Sequence, residues 1–367
     1  MRRRGPLIVA ALLLLGVRIH ALLHALDVQA ISGDIDRYYA IASAPGVPYR
    51  DVPVEYPPVT VLELHALHLI APTRAAMGHV LVVLTMALEA GSAILLWRGW
   101  GRSAALVFLI TDSFLIDALC TRIDMLSVLL AVLAVVLWKR RHRASAGVTL
   151  VAGVAAKLWP AALLPFLLSR SDRQARLLAG VAGAGAVVTS VWLLLGRGAR
   201  GIIDVLTFRG AHGWQIESVI GSVLRLAENP RIELEAGAHR FGEVPAGLSP
   251  LLLLAAAAVA VYAGIRSASL SAMWVAAVAA FLSASTLLSP QFIVWLLPAA
   301  GIAWAERERA LVVIVAMVAA PTWILTFTYG ELLGGNRGIE FLVVGRNLLL
   351  LAALAVALIR IRGSPLS

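Results

Sequence analysis

The chain has 367 residues, 60% apolar and 14% charged, whereas soluble domains run at roughly 45–50% apolar and about 25% charged; a soluble globular enzyme is excluded. Mostly uncharged runs of about 20 residues, the length of a membrane span, recur from end to end, which also excludes a single anchor on a soluble body, a disordered chain or a disulfide-stapled fold. The net charge of +10 marks cytoplasmic span ends in such a chain, and with no soluble basic domain it excludes nucleic acid as a partner.

Arg2, Arg3 and Arg4 precede an apolar run from Pro6 to Leu26, which is expected to be a retained first helix rather than a cleaved signal peptide. The basic start places the N-terminus inside, so 27–58 becomes an external loop of unusual length and polarity. Further apolar runs cover 59–71, 76–97, 103–119, 124–138, 146–168, 175–195, 248–265, 270–287, 292–305, 310–327 and 341–361. The run 59–71 is short for a span. The run 146–168 is interrupted by Lys157-Leu158-Trp159-Pro160, where proline breaks a helix.

If 59–71 does not fully cross and 146–168 enters and returns, every basic cluster becomes cytoplasmic together. These clusters are Arg98/Arg102, Lys139/Arg140/Arg141/Arg143, Arg170/Arg173/Arg176, Arg266, Arg307/Arg309 and Arg360/Arg362. The expected fold is an all-α polytopic membrane protein, one transmembrane domain over 1–367 with about nine full spans and two broken or partial segments. A second external loop, 196–247, balances six arginines against six carboxylates, a surface suited to binding rather than to orienting the chain. No repeat and no related halves of the transporter kind are visible.

Chemistry-bearing residues concentrate in the first loop, which reads Gly33-Asp34-Ile35-Asp36-Arg37-Tyr38-Tyr39, then Gly46-Val47-Pro48-Tyr49-Arg50-Asp51, then Glu55-Tyr56-Pro57-Pro58. Carboxylates on a polar ledge at the mouth of an apolar bundle can deprotonate a hydroxyl nucleophile; the competing reading is a solvated acidic loop. Asp112, Asp117 and Asp124 are intramembrane acids and functional by default, with Asp124 expected in a cavity and the other two as arginine partners. His20, His24 and Asp27 have metal-ligand spacing, as do Glu63, His65 and His68, but polar helix faces explain both sets better. Cys120 reads as a small buried residue, and Trp214, Trp295 and Trp323 as interface or packing residues, although an indole also stacks on a sugar. Neither a metal nor a cofactor is expected.

The Asp34/Tyr38 spacing, the Gly-x-Pro-Tyr-Arg-Asp stretch and Glu55-Tyr56-Pro57-Pro58 together resemble the opening of glycosyltransferase family 87. Later stretches resemble the same family in the same order: Arg122-x-Asp124, Lys157-Leu158-Trp159-Pro160, Gln215-Ile216-Glu217-Ser218, and Ser289-Pro290-Gln291 running on to Pro298. The resemblance covers about residues 30 to 300. It implies a GT-C-like helical bundle with external catalytic loops in the plasma membrane, a sugar donor on polyprenyl phosphate, commonly mannose, and an envelope glycolipid or glycan acceptor. It also implies that Asp34 is the catalytic carboxylate, with Asp36 a static alternative. Lys157, Arg122 and Arg209 are expected to serve the lipid phosphate, with Asp124 the alternative partner for the Lys157 ammonium. Glu217 and His212 are expected to serve sugar hydroxyls, and Tyr38, Tyr49, Glu55, Tyr56, Asp124 and Gln291 the rest of the substrate site. Many members carry a Gly-Gln pair where this chain has Thr121-Arg122, which places it nearer a subgroup of less certain substrates. Arabinofuranose is the alternative sugar. The rivals are a secondary transporter, which should show related halves and midplane sites, and an inactive structural subunit, favoured if Asp34 is buried away from any cavity.

Overall fold

The computed structural model describes residues 4–28, 33–196, 198–207, 210–228 and 230–362. In chain order the helices are α1 (Arg4–Val28), α2 (Gly33–Ser43), α3 (Pro58–Ile70), α4 (Arg74–Trp100), α5 (Arg102–Asp112), α6 (Ile116–Leu119), α7 (Asp124–Lys139), α8 (Arg143–Ala156), α9 (Leu164–Ser169), α10 (Gln174–Leu195) and α11 (Arg200–Leu206). After β1 (Trp214–Gln215) come α12 (Val219–Glu228), β2 (Glu233–Glu235) and β3 (Ala238–Phe241). The chain closes with α13 (Leu248–Arg266), α14 (Leu270–Ala284), α15 (Leu297–Ala305), α16 (Arg309–Phe327), α17 (Tyr329–Leu333) and α18 (Arg337–Arg362). The strands form one small antiparallel sheet, ordered β1-β3-β2, within the segment that the sequence predicts as an external loop.

Among the described residues five helices, α4, α10, α13, α16 and α18, are each long and apolar enough to cross a bilayer, where the sequence predicts about nine full spans. The difference lies in runs assembled from shorter pieces. Run 103–119 is divided between α5 and α6, and α7 and α14 have 16 and 15 residues. Run 59–71 becomes the 13-residue α3, opened by Pro58, whose missing N–H is no loss in a first turn.

Two segments are broken, each with a proline near the start of a 3₁₀ turn. α8 stops at Ala156, Lys157 is extended, and a 3₁₀ turn, Trp159–Leu163, leads into α9. Pro160 cannot donate to the Ala156 carbonyl four residues back; Thr60 Oγ1 donates to it instead, at 2.6 Å. α14 likewise ends before a 3₁₀ turn, Pro290–Leu296, that runs into α15. The Thr286 carbonyl, four residues before Pro290, accepts from the Gln215 backbone N–H at 3.1 Å. Freed carbonyls at such depth need a protein donor, and each break has one.

Both broken segments are hairpins that return to the end from which they start. Arg143, opening α8, pairs with Asp172 just beyond α9 at 2.8 Å, and Trp138 Nε1 donates to the Leu167 carbonyl. Glu306, following α15, accepts from the hydroxyls of Ser269 and Ser271 at the start of α14, at 2.8 and 2.6 Å. At the apexes Trp159 stacks on Trp295, with ring centroids 5.7 Å apart. Because both hairpins start from one end, the repetition is not an inverted one.

Contacts link the basic clusters into one end of the bundle. Lys139 reaches the Gly99 carbonyl at 2.7 Å, Arg170 reaches the Ser267 carbonyl at 3.0 Å, and Arg360 stands 3.5 Å from Glu308. With Arg143–Asp172 and Ser269–Glu306, these ties gather the arginine-bearing turns that the charge pattern assigns to one side. Deeper in the bundle, Arg18 of α1 donates to Glu89 of α4, to Ser113 and to the Leu109 carbonyl, and lies 3.9 Å from Asp112. Asp112 is thus an arginine neighbour, as its rarity in apolar sequence predicts.

α8 and α10 approach closely through Gly147 and Gly180. A Cβ on Gly147 would lie 2.5 Å from the Leu177 carbonyl oxygen, and one on Gly180 would overlap the Ala144 carbonyl. Gly180→Val is expected to cost about 1–3 kcal/mol by overpacking and to lower Tm in detergent. Gly183→Val, on the same helix with nothing within 4 Å of its Cβ, should leave Tm near wild type; equal losses would contradict the close crossing.

Candidate active site

At the other end of the bundle a cavity of about 940 Å³ is walled by the first loop, the α6–α7 junction, both hairpin apexes, the sheet and the α16–α17 turn. The arrangement follows from local structure. α2 opens on Gly33 and carries Asp34 and Asp36 in its first turn, where carboxylates meet the positive end of the helix dipole. One helical turn separates Asp34 from Tyr38, so both face the cavity. Asp36 lies two residues on, roughly 200° around the helix; it is exposed and pairs with Arg74. Asp36 is therefore excluded from the cavity wall, contrary to expectation.

Asp34 pairs with Arg122, which lies between α6 and α7 and also lines the cavity. Two residues later Asp124 opens α7, its side chain 1% exposed. Asp124 Oδ1 accepts from Trp295 Nε1 at 3.1 Å and lies 3.5 Å from Lys157 Nζ. Lys157 sits at the apex of the first hairpin because the break at Pro160 ends α8 there. Its ammonium stands 5.4 Å from the Tyr56 ring centroid and 5.3 Å from that of Phe292. The partner of Lys157 in the structure is thus Asp124, the alternative to the lipid phosphate that the sequence favours.

Glu55 and Tyr56 line the cavity as expected. Glu55 accepts from Arg37 Nε at 2.9 Å, a cation that sequence reasoning passed over because nothing local marks it as a partner 18 residues away. Tyr38 and Tyr56 meet edge to face at 5.9 Å, and burial pushes the Tyr38 phenol well above its usual range, so it stays neutral. Gln291 and Glu217 also line the wall. Burial raises the Glu217 carboxyl above its ordinary value, against the pull of Arg346, Gln215 and Arg122.

Two further expectations are corrected. Tyr49 lies behind the cavity wall: with φ at 67° it packs on Trp192 and donates its hydroxyl to the Tyr56 carbonyl at 2.6 Å. It therefore shapes the loop that presents Tyr56. His212 is 82% exposed at its side chain and lies 3.5 Å from Glu235, outside the cavity lining. Arg209 lies outside the described residues, as does the side chain of Asp27. His20 and His24 stack on each other and His24 reaches the cavity; His68 packs against Tyr39. Among the described residues no cluster of three or more His, Cys, Asp or Glu could hold a metal ion.

Asp117, Gln215, His239 and Tyr329 line the cavity as well, and the sequence did not place them there. Gln215 stands in a quoted motif, but His239 and Tyr329 reach the site only through the pairing of β1 with β3 and the turn after α16. Chemically, the cavity joins a carboxylate that a proton can reach, cations able to meet an anion, and aromatic faces beside polar groups.

Residues 55–290 match the model of glycosyltransferase family 87. The match takes in Arg122, Asp124, Lys157 and Glu217 and begins after Asp34. No curated protein matches the chain. The matched stretch is more than half of the chain and runs through most of the cavity wall, so this membrane protein belongs to glycosyltransferase family 87.

Proposed function

We propose that the protein transfers a hexose, mannose being the favoured sugar, from a polyprenyl phosphate carrier to a hydroxyl of an envelope glycolipid or glycan, with inversion. The observation that carries this reading is the convergence of Asp34, Arg122, Asp124 and Lys157 on one cavity. Asp34 takes the proton of the acceptor hydroxyl, whose oxygen forms the new bond at the anomeric carbon as the bond to the phosphate oxygen breaks. The departing polyprenyl phosphate keeps that electron pair and is met by Lys157 and Arg122. One base suffices because the phosphate leaves without a separate acid. Arg122 pairs with Asp34, so a donor phosphate that draws Arg122 away frees the base. The catalytic loops gathered at one end of a helical bundle suit a GT-C-like enzyme.

Purified protein incubated with a panel of labelled polyprenyl-phosphate sugars and envelope lipid extract should transfer mannose. Transfer of arabinofuranose alone would change the sugar, and transfer from none of the panel would overturn the reading.

The same reading puts the basic end in the cytoplasm and the cavity on the outer face of the plasma membrane. With Cys120 replaced, cysteines at Ser43 and Arg231 should react with an impermeant thiol reagent in intact cells, whereas one at His142 should not. Labelling at His142 from outside would reverse the orientation.

A further inference from the structure

A second polar constellation lines the cavity, built from the 196–247 segment and the turn after α16: Gln215, Glu217, His239 and Tyr329. Glu217 is 1% exposed and fixed on three sides. Its backbone N–H donates to Gln215 Oε1 at 3.0 Å, and its Oε2 accepts from Gln215 Nε2 at 3.1 Å. Its carbonyl is held by two buried side chains of α18, Arg346 Nη2 at 2.8 Å and Asn347 Nδ2 at 3.1 Å. Glu217 Oε1 has no hydrogen-bond partner among the described residues. A buried polar atom held this firmly and left without a partner costs free energy, and lies where a ligand can supply the missing donor. Beside it His239 Nδ1 and the Tyr329 hydroxyl are 3.0 Å apart, their rings 5.7 Å between centroids.

The donor set selects the ligand. A phosphate would meet the Glu217 carboxyl and be repelled, while Lys157 and Arg122 already offer it cations. A metal ion or an ammonium would find one carboxyl oxygen with Arg122 and Arg346 acting on the same group. An uncharged ring bearing several hydroxyls meets none of these penalties: one hydroxyl donates to Glu217 Oε1, and others exchange hydrogen bonds with the His239 and Tyr329 pair. We propose that Gln215, Glu217, His239 and Tyr329 form a subsite for an uncharged, hydroxyl-rich sugar ring within the cavity. The assignment rests on the transferase reading for its context, and the ring belongs either to the donor or to the acceptor.

Full-length protein in lipid nanodiscs, titrated with octyl α-mannopyranoside below its micelle concentration, should bind it at least tenfold more tightly than octyl tri(ethylene glycol), which shares the chain but lacks the ring. Glu217→Gln and Tyr329→Phe should each weaken glycoside binding severalfold, without changing binding of the control amphiphile. Glycoside bound no better than the control, or equally well by wild type and both variants, overturns the subsite. Where transfer is measurable, a severalfold rise in donor KM in Glu217→Gln assigns the ring to the donor, and a rise in acceptor KM assigns it to the acceptor. Wild type that binds the glycoside but transfers no sugar sinks the transferase reading and leaves the subsite standing.

Discussion

Asp34→Asn is expected to lower kcat by about 10²–10⁴, the usual cost of losing a general base, with little change in Tm. Asparagine keeps the shape of the side chain in the first turn of α2 but cannot take a proton. The pair that it disrupts, with Arg122, is partly open to the cavity: the Asp34 side chain is 38% exposed and that of Arg122 24%. Its contribution to folding is correspondingly small. Asp36→Asn provides the control, because Asp36 turns away toward Arg74 and its loss should leave kcat within a few-fold of wild type. Near-wild-type turnover in Asp34→Asn would remove it as the base, and a larger loss in Asp36→Asn would move the role two residues along.

The second large effect is expected at Lys157. Its ammonium lies 3.5 Å from Asp124, whose side chain is 1% exposed and also holds Trp295 at the apex of the other hairpin. Lys157→Met leaves that carboxylate buried without its cation, which costs about 3–5 kcal/mol when one partner of a buried pair is removed. Adding Asp124→Asn removes the stranded charge and should restore part of the loss in a double-mutant cycle. Turnover should stay low in the double variant, because the cation that meets the departing phosphate is still missing. Tm of Lys157→Met equal to wild type would refute the pair, and full activity in the double variant would refute the role in transfer.

Much of this site is legible in the sequence because it depends on local rules. Pro160 interrupts the apolar run 146–168, so the break exposing Lys157 follows from the chain itself, whereas Pro321 is accommodated inside α16 and proline alone does not locate the break preceding Gln291. The distinction between Asp34 and Asp36 is not legible, because 27–58 reads as a loop; only once α2 is present does the helical period put Asp34 and Tyr38 on one face and turn Asp36 away. The charge pattern groups the arginines that the structure gathers at one end. Pairings between distant segments are not legible. Arg37 with Glu55 and Arg18 with Glu89 each unite side chains from different elements, and each member alone reads as a free charge; for Lys157, whose depth demands an anion, the sequence names Asp124 only as the alternative to phosphate. The small sheet is hidden for a related reason. Its strands have two to four residues, too few for a period-2 pattern, so the route of His239 into the cavity and of His212 away from it could not be read. Tyr49 is misread because its tyrosine character suggests sugar binding, whereas its left-handed backbone and its packing on Trp192 commit it to shaping the loop.

The most direct measurement is a structure, by electron cryomicroscopy, of the Asp34→Asn variant bound to polyprenyl-phosphate mannose. The account expects the phosphate within hydrogen-bond reach of Lys157 or Arg122, with the anomeric carbon of the sugar turned toward residue 34. A headgroup resting outside this cavity, or a phosphate held by other cations with its sugar turned away from residue 34, would contradict it.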